Sequence, residues 1–504
     1  MISTERWILR DLHAALLVCA GVVAAGCATS PPSPSAPPLS KAGTERAPRC
    51  ERGTLGLEAG PITKKLRLKL GLPEGAKGAV VIEVIPGSPA AAAEILANDV
   101  IEQIGTARIT NDCELVDAAY TRSCEPVRIV LRRAGQNVEA KLIPVDQDAF
   151  YEGSCRAGIA SGCFRQAWTL WSRNRGTDRD RALEVYQTAC RAGSAEACAY
   201  GGLRLMDMAG RGQDAVALLE RACELGSAGG CTTFAFLYAT GKLVGKDDRR
   251  ATALYVKGCE LGDARGCYNV GLMADEGRGT ARDLSRAVAK YSEACDSGSS
   301  TACTNLGFHY ENGRGVKKDG PRAFALYQRG CEGTSCQPSN LGGCLNVGRA
   351  YRDGIGVGKN AARAASIFQG ACDRKPDPDD VNADENRSRA CSLLGALYIA
   401  GDGVEKDAAA GLRLSELGCE RGDSFGCFNA AAVFGGGAGV EADPAKAASF
   451  LDKACQGGDG EGCYDLGIAY EKGTGVAHDR RRAAELHRKA CALGFERACA
   501  KKGK

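Results

Sequence analysis

Histidine is scarce in this chain: four occur in 504 residues, beside four methionines and three tryptophans, and aromatic residues make up 6%. His13, His309, His478 and His487 share no repeated spacing, and only the last two, nine residues apart, are near one another in sequence. Neither a zinc triad spacing nor a Cys–His dyad emerges from them, and the last three are expected at the surface. No serine has a lysine three residues on, which removes the Ser-x-x-Lys nucleophile of the serine β-lactamases. The sequence calls for no metal and no cofactor. Charge of one sign is missing too. With 65 basic and 61 acidic residues well mixed, the net charge is +4, and nothing favours a nucleic-acid partner. One apolar run, Ala14–Ala25, is too short for an ordinary membrane span.

What the chain has in quantity is cysteine, 26 residues, and glycine, 66 residues. Cys163, Cys198, Cys231, Cys267, Cys303, Cys344, Cys391, Cys427, Cys463 and Cys499 follow one another at steps of 35, 33, 36, 36, 41, 47, 36, 36 and 36 residues. A period this regular is the signature of a solenoid of stacked supersecondary units. In the clearest unit, Ala302 to Cys331, Cys303, Leu306, Gly307 and Tyr310 lie on one face of a first helix. Gly307 recurs as Gly271, Gly348, Gly395 and Gly467. A helical glycine costs up to about 1 kcal/mol against alanine, so its recurrence predicts close approach of a partner helix. The turn Asn312-Gly-Arg-Gly-Val316 carries two glycines able to take φ > 0. Asp319 is a suitable N-cap for a second helix, with Pro321 tolerated in its first turn.

A second cysteine accompanies each first one. Cys155/Cys163, Cys190/Cys198, Cys223/Cys231, Cys259/Cys267, Cys295/Cys303, Cys419/Cys427, Cys455/Cys463 and Cys491/Cys499 have the same short spacing, and Cys331/Cys344 and Cys372/Cys391 hold that frame around insertions. Zinc knuckles space their cysteines more closely, so these pairs read as disulfides and imply an oxidising compartment. Cys113 and Cys124 could pair if the chain turns back after Tyr120. Cys50 and Cys336 are left over, and Cys336/Cys344 also has the regular spacing, so connectivity there stays open. The stretch between Cys155 and Cys190 carries Trp168 and Trp171 and is expected to cap the array. Lys375–Ser388 reads as a solvated loop, and the last first-type helix, at Cys499, as a short cap with Lys501, Lys502 and Lys504 in water.

This doubled cysteine frame over Ser154–Ala500 resembles the Sel-one-like repeats, relatives of tetratricopeptide repeats, in the disulfide-rich form of the Helicobacter cysteine-rich proteins. The resemblance implies a right-handed α/α superhelix used for protein–protein contact. Some relatives carry penicillin-binding or β-lactamase descriptions, an alternative function that the motifs here do not support. Gly422-Asp-Ser-Phe-Gly426 matches the Gly-x-Ser-x-Gly nucleophile elbow in letters only, because it falls between two helices of the repeat.

The N-terminus resembles a bacterial lipoprotein signal. Arg6 and Arg10 precede the apolar run, which ends in Ala24-Ala25-Gly26-Cys27, with Cys27 as the lipidated residue. Ordinary cleavage after Ala25 or nearby is the alternative. Residues 1–26 are then the signal and 27–50 a Pro/Ser-rich tether.

Residues 51–147 change texture, with β-rich runs at 78–85, 99–104, 127–132 and 138–144 and helices at Lys64–Leu70, Ala90–Leu96 and Asp112–Tyr120. Val84–Ile101 resembles the signature of PDZ domains, especially those of HtrA-type envelope proteases, with Asn98 in place of a usual glycine. The resemblance carries the carboxylate-binding loop onto Thr54, Leu55, Gly56 and Leu57, and the groove floor onto Leu115 and Ala119. A fold that no longer binds peptide, with Leu55, Leu57 and Leu115 simply core, is the plainer reading.

The expected architecture is mainly α: a small α+β PDZ domain, then a solenoid of disulfide-stapled repeats over 151–504. The expected function is a non-enzymatic adaptor, lipid-anchored in the bacterial envelope and facing the periplasm. It would bind envelope or secreted proteins with apolar C-termini through the PDZ domain and a second protein on the solenoid. A folding or assembly factor for secreted proteins is a further alternative.

Overall fold

A computed structural model describes residues 53–60, 62, 64–110, 114–115, 126–173, 175–332, 340–374, 383–436 and 440–499. Cys27 and the tether, Cys50, Cys113, Cys124, Cys336, Ala119 and the C-terminal lysines lie outside these residues. The chain forms two compact units that divide between Gly298 and Ser299.

The first unit opens with an antiparallel sheet. Strands β1 (Gly53–Thr54), β2 (Leu57–Gly60), β3 (Ala79–Val84), β4 (Val100–Ile104), β5 (Ala107–Arg108), β6 (Val127–Arg133), β7 (Gln136–Leu142) and β8 (Val145–Asp146) are joined by helices α1 (Lys64–Lys69) and α2 (Pro89–Ala92). The main sheet has the order β2-β3-β4-β6-β7, β5 pairs with β4, and β1 pairs with β8 in a separate ribbon. Alternation buries Val81 in β3 and Ile129 and Leu131 in β6, and a bulge between Ile101 and Gln103 brings both Ile101 and Ile104 of β4 to the same core, which also holds Leu142, Leu55, Ile95 and Leu115. Asn98 takes φ 76°, the left-handed conformation its signature position requires. Ala134 and Gly135, both at positive φ, make the two-residue turn between β6 and β7. Helix α2 stops at Ala92 instead of running to Leu96, because Glu94 turns to φ 56°.

Helices α3 (Gln147–Arg156), α4 (Ala160–Ser172), α5 (Gly176–Arg191), α6 (Ala195–Leu205), α7 (Gly212–Glu224), α8 (Ala228–Thr240), α9 (Asp248–Glu260), α10 (Ala264–Glu276) and α11 (Leu284–Asp296) complete this unit. The second unit holds α12 (Ser300–Asn312), α13 (Gly320–Glu332), α14 (Leu341–Asp353), α15 (Ala361–Cys372), α16 (Ala383–Ala400), α17 (Ala408–Glu420), α18 (Ser424–Phe434), α19 (Pro444–Gln456), α20 (Gly460–Lys472), α21 (Arg480–Ala492) and α22 (Glu496–Cys499).

Most repeats are punctuated by the same local chemistry. The residue four before a first cysteine caps the first helix: Ser194, Ser227, Asp263, Ser299, Asn340 and Asp459 each accept a backbone N–H. Asp247, Asp283, Asn360, Asp407, Asp443 and Asp479 do the same for the second helix, and Asp319 accepts from the Arg322 N–H at 2.9 Å. First helices end on a left-handed glycine at Gly241, Gly277, Gly313, Gly354 and Gly473.

The recurring glycine sits where two helices approach closely. A Cβ on Gly307 would stand 2.7 Å from Cε1 of Tyr327, and one on Gly271 would stand 2.8 Å from Tyr291. Tyr291, Tyr327 and Phe368, each four residues before a cysteine, are buried. Helical spacing alone shows the glycine. Its aromatic partner is visible only when the two helices are laid side by side.

Disulfides close nine of the expected junctions, at Cys155–Cys163, Cys190–Cys198, Cys223–Cys231, Cys259–Cys267, Cys331–Cys344, Cys372–Cys391, Cys419–Cys427, Cys455–Cys463 and Cys491–Cys499. Cys295 and Cys303 are also disulfide-bonded.

Two further sequence expectations fail. His309 and His487 are buried, not at the surface. His309 Nδ1 lies 2.8 Å from the Arg314 carbonyl, and His487 fills the aromatic position against Gly467, with Nε2 3.2 Å from Glu471. The expected loop at 375–388 yields its last residues to α16, where Asp384 and Glu385 sit in the favourable first turn and Ser388 is buried.

Candidate peptide-binding site

The loop Thr54–Leu57 is anchored from both sides. Its Leu55 and Gly56 carbonyls accept from the N–H groups of Ala90 and Ile85, at 3.0 and 2.9 Å. Gly56 has φ +70°, and a Cβ there would overlap Ser88, which caps α2, so only glycine fits. The loop feeds directly into β2, whose one neighbour in the sheet is β3. Among the described residues the other edge of β2 is unpaired, which is the geometry that accepts an added strand.

The side chains divide differently from the sequence reading. Leu55 and Leu115 are core residues, each 2% exposed, while Leu57 is half-buried against that core. Most of the helix expected at Asp112–Tyr120 lies outside the described residues.

The repeats hold this loop through contacts that are not visible in the sequence. Thr54 Oγ1 accepts from the Gly56 N–H at 3.2 Å and lies 2.8 Å from the Tyr151 hydroxyl of α3. Phe150 flanks Gly56, its Cε1 3.3 Å from where a Cβ would stand. Glu58 on β2 faces Glu83 across the ladder, a destabilising like-charge pair. Arg165 of α4 compensates, 2.8 Å from Glu58, with side-chain exposures of 11% and 19%. Thr54 and Tyr151 are 97 residues apart and Glu58 and Arg165 are 107 apart, so no local signal could have found them.

Ser424 of the Gly-x-Ser-x-Gly pattern is the first residue of α18, in a helix–helix turn. The cluster Cys259, Cys267 and Glu293 has metal-like proximity, but the two sulfurs are joined in a disulfide and offer no thiolate. No helix among the described residues is long and apolar enough to cross a membrane.

Comparison with protein families finds the Sel1 repeat at residues 212–227, 235–263, 264–299, 300–335, 342–375, 388–423, 424–459 and 460–495. The chain belongs to the Sel1 repeat family. A PDZ domain matches residues 53–143. The solved structures it resembles include a Sel1 repeat protein from Oxalobacter formigenes, at 19% identity and TM-score 0.46, covering 66% of this chain and 91% of that one. Cysteine-rich protein B of Helicobacter pylori is similar at 32% identity and TM-score 0.23, covering 25% of this chain and 93% of that one. The HtrA-type protease AlgW with decapeptide is similar at 35% identity and TM-score 0.18, covering 18% of this chain and 29% of that one. No curated protein matches the chain. Sel1 repeats and PDZ domains are typically non-catalytic modules for protein–protein interaction, and the disulfides of this Sel1-repeat protein fit an extracytoplasmic setting.

Proposed function

We propose that this Sel1-repeat protein is an envelope adaptor that works without catalysis. Its PDZ domain would take protein C-termini and its repeats would dock a second protein. The observation that carries the reading is a glycine-dependent loop running straight into an edge strand. A terminal carboxylate would meet N–H groups at Thr54–Leu57, and the peptide would extend along β2, gaining affinity from main-chain bonds. The small Ala119 would leave room for an apolar terminal side chain. Cys27, as a lipidated residue, would hold the protein at a membrane facing the periplasm, and the tether would give it reach. Two modest sites on one chain would raise avidity through effective concentration.

The test is a cross-linked pull-down from the envelope with the full chain and a Cys27→Ala variant. The reading expects captured proteins with apolar C-termini, competed away by peptides of those endings, and loss of membrane association in the variant. Capture indifferent to C-terminal peptides would refute the PDZ half. Unchanged membrane association would refute the anchor.

A further inference from the structure

Arg204, on the last turn of α6, breaks the pattern of its own repeat array. Six residues after a first cysteine, four of the other repeats place buried Leu237, Met273, Leu397 and Val433, two place alanine (Ala350, Ala469) and two place the buried polar residues Thr169 and His309; Arg204 alone brings a guanidinium. In this unit the other sheltered arginines carry carboxylates: Arg165 has Glu58, Arg265 has Asp263 and Arg278 has Asp248. Arg204 has none among the described residues. Its surroundings are Tyr186, Tyr200 and a second cation, Arg179, and burial holds its pKa below the usual guanidinium range, partly offset by the two tyrosines.

The geometry around it is ordered. The Arg204 and Arg179 guanidiniums lie over the Trp171 ring, 5.0 and 5.4 Å from its centroid. Tyr186 stacks on Tyr200 at 6.4 Å, and Phe164 packs against both. The Arg204 Nε and the Tyr186 hydroxyl are enclosed and make no hydrogen bond to a described residue. Tyr186 is fully buried, while Arg204 is half-buried, so part of it reaches solvent. A sheltered guanidinium without a counter-charge is costly to the fold. Stacking on Trp171 offsets part of that cost and holds the planar fork in a geometry that suits a carboxylate.

We propose that Arg204, framed by Trp171, Tyr186 and Tyr200, is a carboxylate-binding site on the repeats that anchors an acidic side chain of a partner protein. The proposal concerns the repeats and does not require peptide binding at the PDZ loop. The experiment is a calorimetric titration of the full chain with a short polyglutamate peptide, acetylated and amidated so that it has no free C-terminus. A polyglutamine peptide of equal length is the control. The glutamate peptide should bind and the glutamine peptide should not. Arg204→Met should weaken binding by about tenfold or more. In the same variant the thermal midpoint should stay level or rise, because an uncompensated charge is removed, whereas a structural arginine would lower it. Arg204→Lys, which keeps the charge but loses the fork and the stacking, should fold and bind more weakly, and it serves if the methionine variant fails to fold. Wild-type affinity in both variants would overturn the proposal, as would equal binding of the glutamine peptide. Displacement of the peptide by inorganic phosphate at lower concentration would also overturn it, assigning the site to a small anion.

Discussion

Replacing Gly348 by alanine sets two effects of opposite sign against each other. Helix propensity favours alanine by about 1 kcal/mol. Packing opposes it: a Cβ at Gly348 would overlap Cε1 of Phe368 and stand 2.9 Å from its Cδ1 and Cζ. Phe368 is fully buried, so its ring has nowhere to retreat, and overpacking of this kind costs about 1–3 kcal/mol. The ring contact involves three atoms, which puts the cost in the upper part of that range and the net destabilisation at about 1–2 kcal/mol. The control lies two residues beyond Phe368 on the same helix. Gly370 has nothing within 4 Å of its would-be Cβ, so Gly370→Ala should gain up to about 1 kcal/mol. Urea unfolding followed by far-UV circular dichroism reads both variants, and calorimetry should show midpoints moving by a few degrees in opposite directions. Adding Phe368→Leu to Gly348→Ala should recover part of the loss. If Gly348→Ala proves as stable as the parent, the helices are not held apart by that ring and the packing account of the recurring glycine is wrong.

Three further outcomes follow from the first unit. Tyr151→Phe removes the hydroxyl beside Thr54, costing about 1 kcal/mol, and should weaken binding of free C-terminal peptides. Unchanged peptide affinity would show that α3 does not position the loop. Arg165→Met alone leaves Glu58 half-enclosed beside Glu83 and should cost about 3–5 kcal/mol, while the double variant Arg165→Met/Glu58→Met should recover much of that; equal loss in both would contradict the pairing. Glu196 has its pKa raised above 4.5 by burial, with the Ser227 hydrogen bond opposing. The folded chain therefore holds that proton more tightly than the unfolded one, and stability falls as pH climbs from 4.5 through the raised value, then levels. Glu196→Gln should flatten that limb and raise the urea midpoint at neutral pH; an unaltered pH profile would refute it.

The repeats were legible because most carry their own local signals: a cysteine pair, an aspartate or asparagine N-cap and a left-handed glycine, all within one period. Gly307 was readable as a close approach, since a helical glycine needs some compensation. What stayed hidden is non-local. The ribbon of β1 with β8 joins two-residue strands across Gly53 and Asp146, too short to show alternation. Tyr151 and Arg165 look like ordinary helical residues until the fold brings them to Thr54 and Glu58. His309 and His487 were misread as surface because histidine is polar, yet each occupies a core position whose ring nitrogen finds a partner. Helix α2 ends early on the conformation of Glu94, which no propensity scale anticipates.

The central claim is that the loop Thr54–Leu57 receives a chain terminus. The direct measurement is binding of the purified full chain, disulfides intact, to matched peptides with free or amidated C-termini. The account predicts selective binding of free, apolar C-termini, lost on amidation and weakened by Tyr151→Phe. Binding indifferent to the terminal carboxylate, or none at all, would contradict it and leave the PDZ domain a structural partner of the first repeats.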